Sequence, residues 1–467
     1  MTDQAPLWTA KDAAQAVGGR LDGGGSWTAG GVSIDTRTIA PGDLFVALSD
    51  KRDGHDFAQA ALDKGAAAVL VSRPDSADGP KLVVDDVLES LRKLGAAARD
   101  RNAAWRVGVT GSVGKTSVKE ALAAIFRAAG AAHWSEKSYN NHWGVPLTLA
   151  RMPEATERGV FEMGMNNAGE IRDLVSMVRP HIAIITRIAP AHLENLGSME
   201  AIADAKAEIF DGLVPDGVAV LPADDAFAPR LTRAVERSGA GFLLEFGRAR
   251  NAAVRVLSYE EGADGGVGEM DVIGRRFSFR LKLTGSHQPV NAAGIVACAL
   301  AAGVEPGQAL DVLATLDPAE GRGAVFNTRL DARMLTVIDD SYNANPASMR
   351  AAFGALKARK PRGTGRRVAV IGEMLELGPQ TAQMHADLAG PLSDAGADLV
   401  VTVGEGAKPL ADALHGAVDV FACADADAAL SLIAKRSRDG DVLLIKGSNA
   451  SGVHRIAASL KHGQETD

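Results

Sequence analysis

The sequence predicts an α/β protein with three domains: a small N-terminal α/β domain, a central parallel sheet with a phosphate-binding loop, and a C-terminal doubly wound, Rossmann-like domain. Three observations support this prediction. The length of 467 residues exceeds what one hydrophobic core usually serves. Short apolar strands alternate with helical patterns from Trp105 onward, and the alternation restarts after Gly323. We expect domains over residues 1–103, 104–317 and 318–467.

The composition indicates a globular chain whose partners are small or specific. Apolar residues make up 46% of the sequence and charged residues 23%, and the formal net charge is −8. This acidic balance disfavours a protein that grips nucleic acid or an anionic membrane by bulk charge. Residues 1–15 lack the features of a signal peptide, and the longest nearly apolar stretch, 292–304, is too short to span a bilayer. We therefore expect a cytoplasmic protein without nucleic-acid partners or membrane insertion.

The two cysteines, Cys298 and Cys423, each stand in an apolar run with no second metal ligand nearby. Cysteines in such surroundings usually behave as small buried hydrophobes. We expect both to be buried thiols without a functional role.

The first domain is predicted from short elements that precede residue 103. Thr9 is placed to cap a first helix, and the turn Pro41-Gly42-Asp43 separates two strands. The predicted strands are 31–37, 44–48, 66–72 and 81–85, and the later helices are 55–64 and 87–101.

A phosphate-binding loop is predicted where the strand 105–110 runs through a glycine turn into a helix that begins with Lys115. Such a turn aims free N–H groups and peptide dipoles at one spot, which favours an anion. The glycines let the backbone approach phosphate, the lysine supplies a cation, and the Thr116 hydroxyl suits Mg²⁺. The strict Walker pattern fails because Val109 stands where it requires glycine. The alternative is a glycine turn in an ordinary βα unit, and we favour nucleotide binding because all the features coincide.

Glu162 and His192 follow two apolar strands of the central domain. The carboxyl ends of parallel strands meet at one edge of a sheet, so both side chains should lie near the phosphate loop. Burial of a carboxylate is costly, so Glu162 is either a Mg²⁺ ligand or the partner of a structural arginine. His192 alone is typical of a satisfied loop histidine, and only its convergence with Glu162 and Lys115 indicates a metal or substrate role. The predicted strands are 106–110, 159–163, 181–187 and 217–221.

Lys206 lies within a predicted helix, 198–210, between Asp204 and Glu208. A helical lysine beside acids usually belongs to an exposed charged face, so from the residues alone we interpret it as a solvated surface lysine. A weaker β segment, 254–283, and a long alanine-rich helix that ends near residue 317 complete the domain.

The third domain repeats the alternation, in the pattern of a doubly wound sheet. One junction carries a polar run from Asp339 to Pro346. Asn345 followed by proline is sufficient to cap the next helix. Because capping needs only one or two residues, the surplus carboxylate, phenol and amide groups favour a polar ligand pocket. The predicted strands are 334–338, 367–371, 399–403 and 441–445, and the helices are 346–358, 380–395, 424–437 and 452–461.

Taken together, the motifs resemble those of the ATP-dependent Mur ligases of peptidoglycan synthesis, and the resemblance covers all three domains. The motifs that carry it are DTR (35–37), PGDLFVAL (41–48), TGSVGKT (110–116), NNHWGVP (140–146), EMGMNNAGEI (162–171), AHLENLGS (191–198), AKAEIF (205–210), GR (321–322), DDSYNANP (339–346) and KGS (446–448).

The resemblance implies an amide ligase that works through an acyl phosphate. The SYNANP stretch is similar to the branch of the family that joins D-alanyl-D-alanine to UDP-N-acetylmuramoyl-tripeptide. The implied cofactors are ATP, two Mg²⁺ ions and a carbamylated lysine at Lys206, which replaces its surface interpretation. The first domain would bind the UDP-sugar, the central domain ATP, and the third the amine substrate, all within a monomer.

Residue roles are carried over only to the positions that match the family motifs. The implied catalytic residues are Lys115, Lys206 and His192, and the implied metal ligands are Thr116, Glu162, His192 and Lys206. The implied ATP contacts are Thr110, Gly111, Ser112, Val113, Gly114, Lys115, Thr116, Ser117, Asn291, Arg322 and Asp339. The implied UDP-sugar contacts are Ser33, Asp35, Thr36 and Arg37, and the implied amine-substrate contacts are Tyr342, Asn343 and Asn345.

Three positions depart from the family pattern: Arg187 and Gln288 stand where asparagine is common, and Asn449 where arginine is usual. Competing functions are a sister ligase that adds the third residue of the peptide, a folylpolyglutamate synthase, or a P-loop ATPase that acts as a switch. The sister ligase typically carries a D-N-P-R motif, which this sequence lacks. No separate Walker B strand ending in Asp is evident in the central domain, which disfavours the switch.

Overall fold

A computed structural model describes residues 5–262 and 265–462, which form three α/β domains, each built on one large sheet, with a separate two-stranded ribbon in the first. The outermost residues of the first and third predicted domains, 1–4 and 463–467, lie outside this description, as do residues 263–264 of the predicted β segment. Of the described helices, none is long and apolar enough to cross a membrane.

The first domain has a five-stranded sheet and a small two-stranded ribbon. In spatial order the sheet strands are Arg20–Asp22, Lys81–Val83, Ala68–Val71, Asp43–Val46 and Gly31–Ser33, and only the first pair is antiparallel. The ribbon pairs Trp8–Thr9 with Thr28–Ala29. Thr9 caps the first helix as predicted, because its side chain accepts a hydrogen bond from the Asp12 amide. The helices are Ala10–Val17, Ala58–Asp63 and Val87–Asp100, with 3₁₀ turns at Gly54–Phe57 and Pro74–Ser76.

The central domain has a nine-stranded sheet in which every pairing is parallel except the last two at one edge. In spatial order the strands are Arg275–Leu281, Gly265–Val272, Val254–Gly262, Phe242–Gly247, Val218–Pro222, Ile182–Ile185, Trp105–Thr110, Arg158–Glu162 and Ala132–Trp134. Its middle strands are buried on both faces, as expected when helices cover both sides of a parallel sheet. The helices are Lys115–Ala129, Gly144–Ala150, Glu170–Val178, Leu193–Leu196, Met199–Ala207, Ala228–Ser238, Gln288–Ala301 and Pro306–Thr315, with a 3₁₀ turn at Glu208–Gly212.

The third domain has a six-stranded sheet in which only the first pair is antiparallel. In spatial order the strands are Ala324–Leu330, Arg333–Asp340, Val442–Lys446, Arg367–Gly372, Leu399–Val403 and Asp419–Cys423. Separate apolar clusters cover its two faces, which is the doubly wound arrangement. The helices are Pro346–Ala358, Thr381–Ala386, Ala389–Asp394, Lys408–Leu414, Ala426–Arg436 and His454–His462, with 3₁₀ turns at Gly378–Gln380, Glu405–Ala407 and Asn449–Ser451.

The first domain packs closely on the central one. Its helix Val87–Asp100 contacts the helix Gly144–Ala150, and a Cβ at Gly95 would lie 3.0 Å from the Pro146 carbonyl oxygen. The Trp8 indole donates a hydrogen bond of 2.9 Å to the Ala150 carbonyl. The two domains therefore share a continuous apolar core at this contact.

Several predicted boundaries are wrong, each for a local reason. The strand predicted for 31–37 ends at Ser33, because the Asp35 side chain accepts a hydrogen bond from the Arg37 amide and turns the chain. The helix predicted for 380–395 is two helices, since Pro391 has no N–H to continue the first. The long alanine-rich helix is also two, broken at Gly303, whose φ is +77°.

Other corrections concern elements without a strong sequence signal. The helix predicted for 198–210 ends at Ala207 and continues as a 3₁₀ turn. The strands Ala132–Trp134, Phe242–Gly247, Ala324–Leu330 and Asp419–Cys423 were not predicted. Cys298 is fully buried, and burial raises the pKa of its thiol, whereas Cys423 is only half-buried.

Candidate active site

The phosphate loop has the backbone geometry that its glycines require. Gly111 has a φ of +150°, and a Cβ there would lie 2.0 Å from Oγ1 of Thr186. Thr186 in turn donates a hydrogen bond of 2.5 Å to the Val113 carbonyl, which fixes the loop against the neighbouring strand. Gly114 has a φ of +82° and immediately precedes the helix that begins at Lys115. The free amides at the start of that helix are therefore presented at the carboxyl end of the sheet.

Lys115 folds back over its own loop. Its Nζ donates a hydrogen bond of 2.8 Å to the Gly111 carbonyl. Burial lowers the pKa of its amine, and the nearby Glu162 opposes that shift. The hydrogen-bond partner of this amine is a neutral carbonyl, so an anionic ligand would be a stronger partner for it.

Glu162 is the buried carboxylate of the site, and its two oxygens have different partners. Oε2 accepts a hydrogen bond of 2.8 Å from the Thr116 hydroxyl, and Oε1 accepts one of 2.8 Å from the Asn140 amide. The side chain is 1% exposed. Neither partner is an arginine, so the structural ion pair considered as the alternative is not what the structure contains.

The third domain reaches the phosphate loop through Arg322. Its Nη2 donates a hydrogen bond of 2.9 Å to the Thr116 hydroxyl oxygen, and its guanidinium lies 4.1 Å from the centre of the Tyr342 ring. The Tyr342 hydroxyl is 2.5 Å from the Ser138 hydroxyl of the central domain. These contacts hold the two domains together directly above the loop.

His192 lies where predicted, on a loop beside the phosphate site. It has a φ of +59°, unusual for a residue other than glycine, and begins the short helix Leu193–Leu196. Its Nδ1 lies 2.6 Å from Oε2 of Glu376, a carboxylate of the third domain. This contact lowers the pKa of the Glu376 carboxyl.

Lys206 is 1% exposed, so its interpretation as a solvated surface residue was wrong. Burial lowers the pKa of its amine far below the ordinary value, and the neighbouring Lys115 lowers it further. Among the described residues, no hydrogen-bond or ion-pair partner of its amine is found. The two acids that neighbour Lys206 in sequence have other partners. Asp204 pairs with Arg230, and Glu208 accepts a hydrogen bond from the Gly169 amide, which caps the helix Glu170–Val178.

The two carboxylates of the polar run, Asp339 and Asp340, have different partners. Asp339 is 5% exposed and accepts hydrogen bonds from the Gly321 amide and the Ser341 hydroxyl. It therefore fixes the chain at Gly321, near the start of the third domain. Asp340 lies on the cavity wall and accepts a hydrogen bond of 2.7 Å from Nζ of Lys446. The prediction named Asp339 as an ATP contact, but the carboxylate that faces the cavity is its neighbour.

The predicted amine-substrate residues all line the same cavity. Tyr342 is partly exposed, and the Asn343 carbonyl accepts a hydrogen bond of 3.0 Å from Lys446. Asn345 caps the helix Pro346–Ala358 in a reciprocal capping box with Ser348. The capping interpretation of Asn345 is therefore correct, and it is compatible with a place on the cavity wall.

One cavity of about 1030 Å³ joins these groups. Its wall includes Ser112 to Ser117, Glu162, His192, Asn291 and Arg322. Thr110 and Gly111, which precede these loop residues, are not part of the wall as the described residues form it. Arg187 and Gln288, which depart from the family pattern, also line it. Asn449, the third departure, is exposed on a 3₁₀ turn and does not.

The predicted UDP-sugar residues lie together in the first domain. Ser33 is buried, and the Asp35 carboxylate pairs with the Arg37 guanidinium at 2.6 Å. This pair lowers the pKa of Asp35 to about 2. The Thr36 carbonyl accepts a hydrogen bond from Lys64. As the described residues form it, the wall of the large cavity includes none of the four predicted residues.

Five polar residues near the cavity were missed: Asn140, Asp340, Glu376, Lys446 and, behind the loop, Lys119. Asn140, Asp340 and Lys446 stand within motifs that the sequence already singled out, so attention to every polar position of a motif would have found them. Glu376 and Lys119 acquire partners distant in sequence, and no local pattern signals them.

Comparisons with known proteins agree with this geometry. Three family models match: the Mur ligase middle domain over residues 109–301, the Mur ligase, glutamate ligase domain over 321–449, and the Mur ligase family, catalytic domain over 28–128. A UDP-N-acetylmuramoyl-tripeptide–D-alanyl-D-alanine ligase of Escherichia coli (strain K12) is 36% identical over 446 residues, covering 94% of this chain and 95% of the relative. The enzyme of that name from Rickettsia prowazekii (strain Madrid E) is 31% identical over 452 residues, covering 96% and 99%.

Solved structures give the same result. MurF from Acinetobacter baumannii matches with a TM-score of 0.85 at 31% identity, covering 98% of this chain and 99% of that chain. The MurF ligase from Thermotoga maritima in complex with ADP matches with a TM-score of 0.76 at 26% identity, covering 93% and 98%.

Proposed function

The chain belongs to the Mur ligase family, and from this premise we propose that it joins D-alanyl-D-alanine to UDP-N-acetylmuramoyl-tripeptide at the expense of ATP. One observation carries the proposal. A single cavity brings the phosphate loop of the central domain together with Arg322, Tyr342 and Lys446 of the third domain. A ligase needs this arrangement because its nucleotide and its amine substrate come from opposite sides to one carboxylate.

The chemistry is amide formation through an acyl phosphate. The substrate carboxylate attacks the γ-phosphorus of ATP and releases ADP, and the amine then attacks the acyl carbon, releases phosphate and loses a proton. Neither step needs a nucleophile from the protein. The protein positions anions and neutralises charge, with Lys115 and the loop amides on the phosphates and Arg322 beside them. Contact between the domains excludes water from the hydrolysable intermediate.

The donor set at the loop fits Mg²⁺, which prefers oxygen ligands. Thr116 and Glu162 present a hydroxyl and a carboxylate 2.8 Å apart, and among the described residues the hydrogen bonds of that carboxylate come from the Thr116 hydroxyl and the Asn140 amide, both neutral. His192 and Lys206 complete the proposed metal set. When bound, Mg²⁺ would neutralise the phosphate oxygens and the charge that develops during transfer.

The surroundings of the Lys206 amine support the proposal of a carbamate there. A buried ammonium without a counterion is unfavourable, so the neutral amine is the favoured form. A neutral amine adds to carbon dioxide and loses a proton, and the product is an anion near the Lys115 cation. The carbamate would attract a Lys115 cation, whereas a Lys206 ammonium would be repelled by it, and its oxygens would be ligands for a second Mg²⁺.

The remaining roles follow the three domains, which we assign to residues 1–103, 104–317 and 318–467. Ser33, Asp35, Thr36 and Arg37 would hold the uridine diphosphate group, and Arg37, which pairs with Asp35, would supply the guanidinium of the site. Asn291, beside Gly114, and Arg322 would contact ATP, and Tyr342, Asn343 and Asn345 would meet the dipeptide. The assignment of Asp339 to ATP stays a prediction, and Asp340 is better placed for it.

The proposal also includes a cytoplasmic monomer. ATP and nucleotide-linked precursors are supplied in the cytoplasm, and one chain provides every contact proposed above.

The test is phosphate release from ATP with UDP-N-acetylmuramoyl-tripeptide, in the presence and absence of D-alanyl-D-alanine, with the product mass measured. Release that requires both substrates and yields the pentapeptide nucleotide is the expected result. Release without either substrate would favour a switch ATPase. Activity with a single amino acid in place of the dipeptide would favour a sister ligase.

A further inference from the structure

Lys119 is a fully buried lysine on the helix Lys115–Ala129, one turn beyond the phosphate loop. Its Nζ donates hydrogen bonds of 2.7 Å to the carbonyls of Ser135 and Lys137. It also lies 2.7 Å from Oε1 of Glu120. An ammonium has three N–H donors, so these three partners satisfy it. Lys119 is not on the wall of the large cavity, so it does not act on the substrates directly.

The carbonyls that Lys119 holds belong to residues 135–141, which we call the junction segment. Lys137 has a φ of +51°, a left-handed conformation that is costly for a lysine and needs external support. Lys119 provides that support from inside the domain, because it binds the carbonyl oxygens of Lys137 and of the residue two positions before it.

The junction segment meets all three domains within a few residues. Tyr139 packs against the apolar core of the first domain. The Ser138 hydroxyl lies 2.5 Å from the hydroxyl of Tyr342 in the third domain. The Asn140 amide donates a hydrogen bond to Glu162, the buried carboxylate of the phosphate site. A shift of this segment would therefore disturb both Glu162 and the contact between Ser138 and Tyr342.

We propose that Lys119 is a positioning residue for the ligase reaction, which holds the junction segment so that Asn140 orients Glu162 and Ser138 meets Tyr342. This inference rests on the proposed function for its kinetic part only. A displacement of about 1 Å in a group that orients reacting atoms can cost about 100-fold in rate. The carbonyl contacts carry the effect, and the ion pair with the half-exposed Glu120 does not.

The kinetic test compares Lys119→Met with Glu120→Gln in the full-length enzyme. Lys119→Met should lower kcat by about 10- to 100-fold. The Kd for ADP should change by less than about 2-fold, because the loop amides and Lys115 are untouched. Glu120→Gln should behave as the wild type in both measurements. An unchanged kcat for Lys119→Met, or an equal loss for Glu120→Gln, would overturn the proposal.

A double-mutant cycle tests the route. If Lys119 acts through Asn140, then adding Asn140→Ala to Lys119→Met should lower kcat little further than Lys119→Met does alone. Effects that multiply would overturn the route, since independent contributions combine in that way. A loss of general stability does not predict such coupling.

Hydrogen–deuterium exchange provides a readout that does not depend on the reaction. The amides of residues 135–141 should lose protection in Lys119→Met and keep it in Glu120→Gln. Wild-type protection in both variants would overturn the proposal even if the ligase activity is correct. A wild-type enzyme that forms no pentapeptide nucleotide would refute the proposed function, while the exchange result would still decide whether Lys119 holds the segment. If Lys119→Met does not fold, Lys119→Gln, which keeps an amide donor, is used for the same comparison.

Discussion

The helix that follows the phosphate loop and the helix Met199–Ala207 each bury one lysine, and the two lysines have opposite surroundings. Lys119 is fully enclosed, and two carbonyls and a carboxylate satisfy its ammonium. Lys206 is enclosed to the same degree, yet no partner for its amine is found in the part of the chain that the structure describes, and Lys115 repels it. Burial alone therefore does not distinguish a structural lysine from a reactive one.

The two sites differ in the number of hydrogen-bond acceptors around the lysine amine. A buried lysine amine with three acceptors recovers the hydrogen bonds that it would make in water, so Lys119 can anchor the chain around it. A buried amine without acceptors is driven toward its neutral form, which is a nucleophile. The comparison predicts that the two lysines respond differently to the same substitution.

The largest expected effect is that of Lys115→Ala, which removes the cation that both repels the Lys206 amine and faces the phosphates. We expect kcat to fall by about 1,000-fold, since a lost charge-stabilising donor costs about 100- to 1,000-fold. Binding of UDP-N-acetylmuramoyl-tripeptide, measured by calorimetry, should stay nearly unchanged because the residues proposed to bind its uridine diphosphate group lie in the first domain. Near-normal turnover would defeat the assignment of the phosphate loop.

The next effect sharpens the comparison directly. Lys206→Met should lower kcat by about 100-fold. It should leave Tm unchanged or raised, because an apolar side chain replaces an uncompensated buried amine. Lys461→Met, at an exposed position of the third domain, is the control. A fall in Tm with full activity would show that Lys206 is structural after all, and labelling with ¹³C-bicarbonate would detect the carbamate independently.

Replacing Lys119 by methionine should destabilise the fold, whereas the same replacement at Lys206 should not. Lys119→Met leaves the carbonyls of Ser135 and Lys137 without a donor, and each unsatisfied buried group costs about 1–3 kcal/mol. We expect the free energy of unfolding to fall by about 2–4 kcal/mol in denaturant titrations. If Lys119→Met were no less stable than Lys206→Met, the contrast between the two surroundings would be wrong.

The smallest expected effect concerns His133, a partly buried histidine. His133 has one partner, the Thr148 carbonyl at 2.7 Å, and burial lowers its pKa from 6.5 to about 4. Between these values the unfolded chain binds the proton and the folded chain does not, so stability rises with pH across this window. The contribution is complete above pH 6.5 and is lost as the pH falls toward 4, with about 2 kcal/mol gone at pH 5.

Comparing the wild type with His133→Gln checks this expectation. The amide of glutamine can still donate to the Thr148 carbonyl but does not titrate, so the variant should lose less stability than the wild type between pH 7 and pH 5. His454→Gln, at an exposed histidine, is the matched control and should follow the wild type. Equal pH dependence in all three proteins would contradict the shifted pKa.

Local signals in the sequence explain which parts were predictable. The cap at Thr9, the strand and glycine turn before Lys115, and the cap at Asn345 each depend on residues a few positions apart, and all three are present. The boundaries that failed lie where a side chain or proline interrupts a periodic pattern, as at Asp35 and Pro391. Of the unpredicted strands named above, Ala132–Trp134, Ala324–Leu330 and Asp419–Cys423 lie at sheet edges, whereas Phe242–Gly247 lies inside the central sheet.

The functional residues divide in the same way. Lys115, Thr116, Glu162 and His192 were predicted to converge because parallel strands end at one edge of their sheet, and the structure brings them to one cavity. The role of Asp339 stays a prediction: both Asp339 and Asp340 end the same strand, and packing places Asp340 on the cavity wall, which the sequence alone could not indicate.

The sequence by itself determined the three-domain α/β class, the phosphate loop and the family, because these depend on periodicity and on motifs that are short and contiguous. Tertiary structure alone decided the state of each buried charge. Lys206 appeared exposed beside its acids until the fold paired those acids elsewhere, and Lys119 acquired its carbonyl partners from residues 135 and 137. The reason is physical: the energy of a buried charge depends on which atoms surround it, and folding chooses those atoms from distant parts of the chain.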